Sequence, residues 1–304
     1  MKKIITITAL VLCMVFAAIG CSAPAAQESS AAPSESASVE ASASDAAEAT
    51  ASASEEASGE ALSGTVAMSG STSMEQVANA LKEAFMAKNP DVSVDVQLGG
   101  SSVGLQDAES GKSDIGNASR ELKDEESAAL DGHTIAIDGI AVIVHPSNAA
   151  KEITSEDLVK VYTGEVTNWK DLGGDDQPIV VIGREASSGT RGAFEELLGI
   201  EDQCKYAQEL NETGAVKTAV SSTPAAIGYV SLEALDDTVT ALKVDGAEAT
   251  EEAIKAGDYP LSRPFIMATK KGETLRPEVQ AFLDFVMGAD GQAVVADNKL
   301  ITVS

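Results

Sequence analysis

From residue 63 to the C-terminus, short β-rich runs alternate with stretches of helical periodicity. "TVAM" (65–68) reads as a strand and runs into "SGSTS". In the "MEQVANALKEAFMAKNP" that follows, Met74, Val77, Ala78, Leu81 and Phe85 recur at helical spacing. Ser73 and Gln76 stand at capping-box spacing, which predicts a helix start at the end of that loop. "VSVDVQL" (92–98) alternates strictly, as a strand does, and leads through "GGSS" into a short helical "VGLQDAES". "PIVVI" (178–182) reads as a buried strand, followed by "GREASSGTR" and the helical "GAFEELLG". Three times, then, a strand ends in a loop of glycines and hydroxyls that opens a helix.

The remaining pattern fills in a mixed α/β chain. "KSDIGNASREL" (112–122) predicts a short strand ending at Ser119 and Arg120. "HTIAIDGIAVIVHP" (133–146) is long enough to pass between two lobes, and "TPAAIGYVSLEAL" (223–235) reads as the return crossing. "RPFIMATKK" is another strand, and "RPEVQAFLDFVMGADGQAVV" gives two helices, with Pro277 near the start of the first and Gly288 at its end. The expected architecture is α/β in two lobes, with the chain crossing between them twice. Residues 63–143 and 229–304 are assigned to the first lobe and 144–228 to the second.

The N-terminal residues are of another kind. "MKK" is a basic n-region, and the apolar run "IITITALVLCMVFAAI" is short for a membrane span but suits a secretory signal. Small Ala18 and Gly20 precede Cys21, an arrangement that resembles a bacterial lipobox. Residues 1–20 are therefore expected to be a signal peptide, with Cys21 lipidated as the mature N-terminus. Residues 22–62 are almost wholly Ala, Ser, Glu and Pro, without an aromatic, lysine or arginine. Such a segment buries too little apolar surface to offset its ordering entropy, so 21–62 is expected to be a disordered tether. The expected location is the outer face of the cell membrane, reached through a lipid anchor.

Charge narrows the partners. The whole chain carries 21 basic and 48 acidic residues, a net of −27, and "GREASSGTR" gathers two cations and three hydroxyls against that background. Nucleic acid and anionic lipid are poor partners for so acidic a surface. Cys204 is the one cysteine beyond the N-terminal segment, which leaves it no intrachain disulfide partner and predicts a buried small residue.

Catalysis and metal binding find little support. "GSSVG" (100–104) fits G-x-S-x-G with Ser102 as nucleophile, but the only histidines are His133 and His145 and none lies far downstream. Two histidines and a lone cysteine make no zinc spacing, and "DLGGDDQ" lacks the ligand ladder of a calcium loop. "KDEE" (123–126) reads as a solvated helix face. No enzyme activity and no cofactor are expected.

Binding is the remaining chemistry. The first backbone N–H groups of a helix lack internal partners and carry partial positive charge, so a Gly/Ser/Thr loop at a helix start is suited to an anion. In open α/β folds such loops converge at the carboxyl ends of the strands. "GSTSM", "GGSSVG", "SDIGNASREL", "GEVTNWKDLGG" and "GREASSGTRGAFEE" occur in that order after the lipobox-like start. In this they resemble the phosphate-binding lipoproteins of bacterial phosphate ABC transporters. The resemblance implies a two-lobed type II periplasmic-binding-protein fold, monomeric, that closes on inorganic phosphate and delivers it to permease subunits driven by a separate ATPase. It implies binding by Thr72, Ser73 and Ser101 from one lobe, and by Arg184, Ser188, Gly189 and Thr190 from the other. Family members place an aspartate near Ser119 to accept the phosphate proton; here Ser119 and Arg120 stand instead. Ser119 and Arg120 are candidate contacts, with Arg120 either a second cation in the site or paired with a neighbouring carboxylate. Arg191 is expected on the helix surface, paired with a carboxylate such as Glu195. Carriers of sulfate, molybdate or tungstate, and a surface-anchored sensor or adhesin of the same fold, are the competing readings.

Overall fold

The computed structural model describes residues 62–303. The expected signal segment, Cys21 and all of the expected tether except Leu62 lie outside the described residues, and Leu62 packs at the edge of the first core.

The chain begins with β1 (Gly64–Gly70), whose Val66 and Met68 point into a core, and passes through a 3-10 turn at Thr72–Met74 into α1 (Glu75–Lys88). The helix buries Val77, Ala78, Leu81 and Phe85, the face its periodicity foretold. Its start differs from expectation. Met74 is the N-cap and makes no side-chain cap bond, so the Ser73–Gln76 capping box does not form. Ser71 Oγ instead accepts from Ser73 N at 3.2 Å, and the buried Ser73 hydroxyl bonds Thr190 and Thr213. Next come β2 (Val92–Leu98), α2 (Ser101–Ser110), β3 (Ile115–Ala118), α3 (Asp124–Ala129) and the long β4 (Leu130–Val144). The middle of the chain forms β5 (Glu152–Ile153), α4 (Ser155–Tyr162), β6 (Val180–Arg184), α5 (Gly189–Leu198), β7 (Gln208–Leu210) and α6 (Thr213–Ser221). It continues with β8 (Ala226–Ser231), β9 (Thr240–Ala241), β10 (Lys243–Val244) and α7 (Glu251–Ala256). Last are β11 (Ser262–Lys270), α8 (Pro277–Met287) and α9 (Ala289–Asp297), with Pro277 in the first turn of α8 and Gly288 at its end.

Pairing runs in the order β2-β1-β3-β11-β4-β8-β6-β7, with β9 beside β4 and a separate β5–β10 pair. β1 is parallel to β2 and β3, and β6 is parallel to β8 and β7. The 15-residue β4 joins the two halves: Leu130 to Gly139 pair antiparallel with β11, and Ile140 to Val144 pair antiparallel with β8. Two large cores follow from this, with a smaller cluster of Leu105, Ala118, Leu130 and Ile266 formed by α2, β3, β4 and β11. One gathers Val66, Leu81, Phe85, Ile115, Phe265 and Phe282, with Phe85 edge-on to Phe282 at 5.2 Å between centroids. The other gathers Tyr162, Trp169, Phe194 and Tyr229, with Phe194 stacked on Tyr229 at 4.3 Å. Each core defines a lobe of a two-lobed α/β fold, and the chain passes between them twice, through β4 and at the entry to β11.

The second passage lies later than the pattern suggested. Val239, Leu242, Val244, Ile254, Tyr259 and Leu261 all pack into the second core, so the chain returns at Ser262 and not near 229. "AIGYVS" runs antiparallel to the second half of β4 and stays in that sheet; an uninterrupted apolar run does not by itself tell a crossing strand from an inner one.

Candidate anion-binding site

The hydroxyl loops lie at the carboxyl ends of β1, β2, β3, β6 and β7, all linked by parallel pairing within their own halves. Ser71, Thr72 and Ser73 follow β1, and Ser101 opens α2. Ser119 follows β3 and Arg184 ends β6. Ser188 caps α5, whose first residues are Gly189 and Thr190. All of these are buried.

Hydrogen bonds tie most of this set together. Ser71 Oγ donates to Ser119 Oγ at 2.8 Å, Ser119 N donates to Ser101 Oγ at 3.1 Å, and the Ser101 and Ser119 hydroxyls lie 3.3 Å apart. From the other lobe, the Thr190 hydroxyl meets that of Ser73. Ser188 Oγ accepts from Arg191 N at 3.3 Å, so it caps its own helix. Two glycines allow the lobes to touch. A Cβ on Gly189 would lie 2.2 Å from Ser101 Oγ, and one on Gly100 would lie 2.8 Å from Ser187 O. Ser102 N donates to Ser187 O at 3.1 Å across the same seam.

Arg184 is the electrostatic centre. Its side chain is 2% exposed, and it donates from Nε to Leu210 O at 3.1 Å, from Nη2 to Asn211 O at 2.9 Å and from Nη1 to Thr213 Oγ1 at 3.0 Å. Among the described residues no carboxylate lies within ion-pair distance of it. Burial, reinforced by the nearby Arg263 cation, lowers its pKa to about 10. Arg263 is equally buried but is compensated: Nη2 and Nε donate to Asp138 Oδ2 at 2.9 and 3.2 Å, and Nη1 donates to Ser119 O at 2.7 Å. A buried charge without an opposite partner is costly, so Arg184, beside the hydroxyl cluster and the helix starts, is suited chemically to an anion.

Arg120 is engaged elsewhere. Nη1 and Nη2 grip Glu126 at 2.7 and 2.8 Å, and Nη2 reaches Ser102 Oγ at 3.3 Å. Burial pushes the Glu126 carboxyl up, but hydrogen bonds from Arg120 and the Lys123 N–H outweigh it and hold the pKa low. Of the two readings of Arg120, carboxylate pairing is the one this geometry has. It makes Glu126 more than a solvated face, because its tertiary partner is six residues away in an irregular segment. Arg120 lines the outer mouth of the seam with Lys123 and Arg191, a cavity of about 400 Å³. Arg191 pairs with Glu195 at 2.8 Å and Glu209 at 3.0 Å and lies over the Tyr206 ring.

Thr213 is the member that sequence reasoning missed. Its Oγ1 lies 3.0 Å from Thr72 Oγ1 and 3.3 Å from Ser73 Oγ, besides accepting from Arg184. The signal was a Thr-Gly pair before an apolar helical stretch, but the preceding strand is three residues long and made no visible run.

The serine hydrolase pattern does not assemble here. Ser102 Oγ accepts from Arg120, while His145 Nδ1 is held by Ser147 at a loop start and His133 lies in β4, paired across to Met267. Cys204 is half-buried and burial pushes its thiol up to about 12, which keeps it protonated.

Comparison with known proteins agrees with this geometry. Residues 41–290 match the family model of the PBP superfamily domain. The phosphate-binding protein PstS of Bacillus subtilis is 36% identical over 252 residues, covering 81% of this chain and 83% of its own. A crystal structure described as a phosphate ABC transporter substrate-binding protein with bound phosphate, from Clostridium perfringens, aligns with a TM-score of 0.77 and 44% identity. It covers 79% of this chain and 100% of that one. An ABC-type phosphate transport receptor from Vibrio cholerae aligns with a TM-score of 0.67 and 32% identity, over 79% and 100%. The fold and site define a two-lobed solute-binding protein, and the chain belongs to the PBP superfamily and, within it, to the family of the phosphate-binding protein PstS.

Proposed function

We propose that this protein captures inorganic phosphate between its lobes and hands it to the permease subunits of an ABC transporter for import. The observation that carries the reading is Arg184, a buried guanidinium with no carboxylate partner among the described residues, whose Thr213 hydroxyl partner also meets Thr72 and Ser73 of the other lobe. The ligand set is Thr72, Ser73, Ser101, Ser119, Arg184, Ser188, Gly189 and Thr190. Arg120 acts at the mouth through Glu126. Each hydrogen bond to a charged ligand contributes roughly 1.5–3 kcal/mol net, and about −8 kcal/mol in total corresponds to micromolar affinity. The acidic surface does not oppose capture, because solvent screens charges beyond roughly 8–10 Å.

A second reading has an observation in its favour. None of the hydroxyls in the cluster hydrogen-bonds to a carboxylate in the described structure. Phosphate, with a second pKa near 6–7, keeps a proton that wants an acceptor, whereas sulfate has none to place. Titration calorimetry with phosphate, sulfate and molybdate at fixed pH separates the two. Phosphate at least tenfold tighter than sulfate supports the phosphate reading, and sulfate equal or tighter overturns it.

Delivery at the membrane rests on Cys21. Lipidated there, the protein stays on the outer face of the cell membrane as a monomer, with 22–62 as its tether. Cys21→Ser releases the mature protein to the medium on this reading; retention on membranes with unchanged mobility defeats it.

A further inference from the structure

We infer that Thr213 is a positioning residue for anion capture, which orients the Arg184 fork and ties the second lobe to the Thr72–Ser73 loop of the first. This rests on the assignment of the Arg184 cluster as the phosphate site.

Three observations converge on it. First, Thr213 is the first residue of the nine-residue α6, yet its hydroxyl does not serve that helix. The N-cap is Glu212, which makes no side-chain cap bond, and Thr213 Oγ1 makes its bonds to residues of other elements. Second, Thr213 Oγ1 is the one side-chain acceptor of the Arg184 guanidinium among the described hydrogen bonds, the other two acceptors being the carbonyls of Leu210 and Asn211. Those carbonyls occupy the Nε and Nη2 edge, so Thr213 alone sets the Nη1 arm. A planar fork held at all three nitrogens has its remaining N–H directions fixed before a ligand arrives, which reduces what binding must order.

Third, Thr213 is linked to the opposite lobe by three hydrogen bonds. Its Oγ1 approaches both Thr72 Oγ1 and Ser73 Oγ, and its backbone N–H donates to Thr72 Oγ1 at 3.3 Å. Thr72 and Ser73 come from the 3-10 turn after β1, and Thr213 from the start of α6. One hydroxyl therefore connects the cation of one lobe with the hydroxyl loop of the other. All the groups concerned are buried, so losing the shared oxygen leaves a guanidinium N–H without an acceptor, while the Ser73 hydroxyl keeps Thr190 and the Thr72 hydroxyl keeps the Thr213 N–H.

The test compares Thr213→Val, which keeps the shape and removes the oxygen, with Thr213→Ser, which keeps the oxygen and removes the methyl. Phosphate affinity is read by calorimetry on the folded, mature protein, with thermal midpoints measured without phosphate. Thr213→Val is expected to weaken phosphate binding about ten- to hundredfold, and Thr213→Ser to stay within about threefold of wild type. In an Arg184→Ala background, Thr213→Val should cost less than in the wild-type background, because the fork it orients is gone and only its link to Thr72 and Ser73 remains to be lost. The inference is overturned if Thr213→Val binds within threefold of wild type, or if Val and Ser weaken binding equally. A full additional loss in the Arg184→Ala background also overturns it. If Thr213→Val lowers the phosphate-free midpoint so far that it does not fold, Thr213→Ser and Thr213→Ala at reduced temperature decide by the same comparison. Arg184→Ala alone reports on the underlying site: if it binds phosphate like wild type, the site assignment fails and not merely the role of Thr213.

Discussion

Gly189 lies so close to Ser101 that a Cβ added to it would fall 2.2 Å from the serine Oγ and 2.8 Å from Ser119 Oγ. The two residues belong to different lobes, so this contact measures how closely the lobes approach. Gly189→Ala should therefore act on the joined state and leave each core intact. Overpacking of this kind costs about 1–3 kcal/mol. We expect phosphate affinity to fall by that amount while the phosphate-free thermal midpoint stays near wild type. An unchanged affinity would mean that the lobes do not need this approach to hold the ligand.

The two arginines of "GREASSGTR" separate cleanly. Arg184 is buried without a carboxylate, while Arg191 pairs with Glu195 and Glu209 near the surface. Arg184→Ala should weaken phosphate binding by about 2–5 kcal/mol, since a desolvated charge pair loses one member. Arg184→Lys should also weaken it, because an ammonium cannot reproduce the planar fork. Arg191→Ala should do far less. Calorimetry on variants shown to be folded by circular dichroism decides, and a larger effect at Arg191 would reverse the assignment.

Arg120 gives a contrasting expectation. With its guanidinium held on Glu126 and its Cδ packed 3.3 Å from where a Cβ of Gly192 would lie, it acts at the mouth of the seam. Arg120→Ala should speed phosphate release, measured by stopped-flow, more than it slows association. A loss of affinity as large as that of Arg184→Ala would instead make Arg120 a direct ligand.

Glu233 couples the fold to pH. It is buried in the turn after β8, faces the backbone N–H groups of Gln76 and Val77 at the start of α1, and leaves Oε2 without a hydrogen-bond partner. Burial, then the nearby Asp138, holds its pKa well above the ordinary carboxylate value. A raised folded pKa means the native state holds the proton more tightly. Its contribution is thus fully present below the ordinary glutamate pKa and is lost as pH rises through the raised one. Glu233→Gln, which keeps an acceptor and carries no charge, should raise the thermal midpoint at pH 8 and change it less at pH 5. A shift of the same size at both pH values would remove the ionisation from the account.

Local pattern made much of the fold legible. The alternation of "VSVDVQL" and the buried face of Val77, Leu81 and Phe85 survive in β2 and α1, because period and polarity are local properties that any packing must respect. The capping box was misread for an equally physical reason: Ser73 had a better-buried partner in Thr190, 117 residues away, and the tertiary bond displaced the local one. "TPAAIGYVSLEAL" was misread because full burial erases the alternation that would mark a strand's sheet.

For this protein, the three strand, hydroxyl-loop and helix units were legible in the chain alone, and with them a chemistry suited to an anion, since donors and glycines at helix starts carry their meaning locally. The choice of Ser101, Ser119, Arg184, Ser188 and Thr190 as ligands came from the family resemblance and is a proposal. Which charges remain uncompensated was decided only in three dimensions. Arg120 found Glu126, Arg191 found Glu195, Arg263 found Asp138, and Arg184 found carbonyls and Thr213. The reason is that an ion pair is a distance between side chains from separate elements, and composition shows only that partners exist.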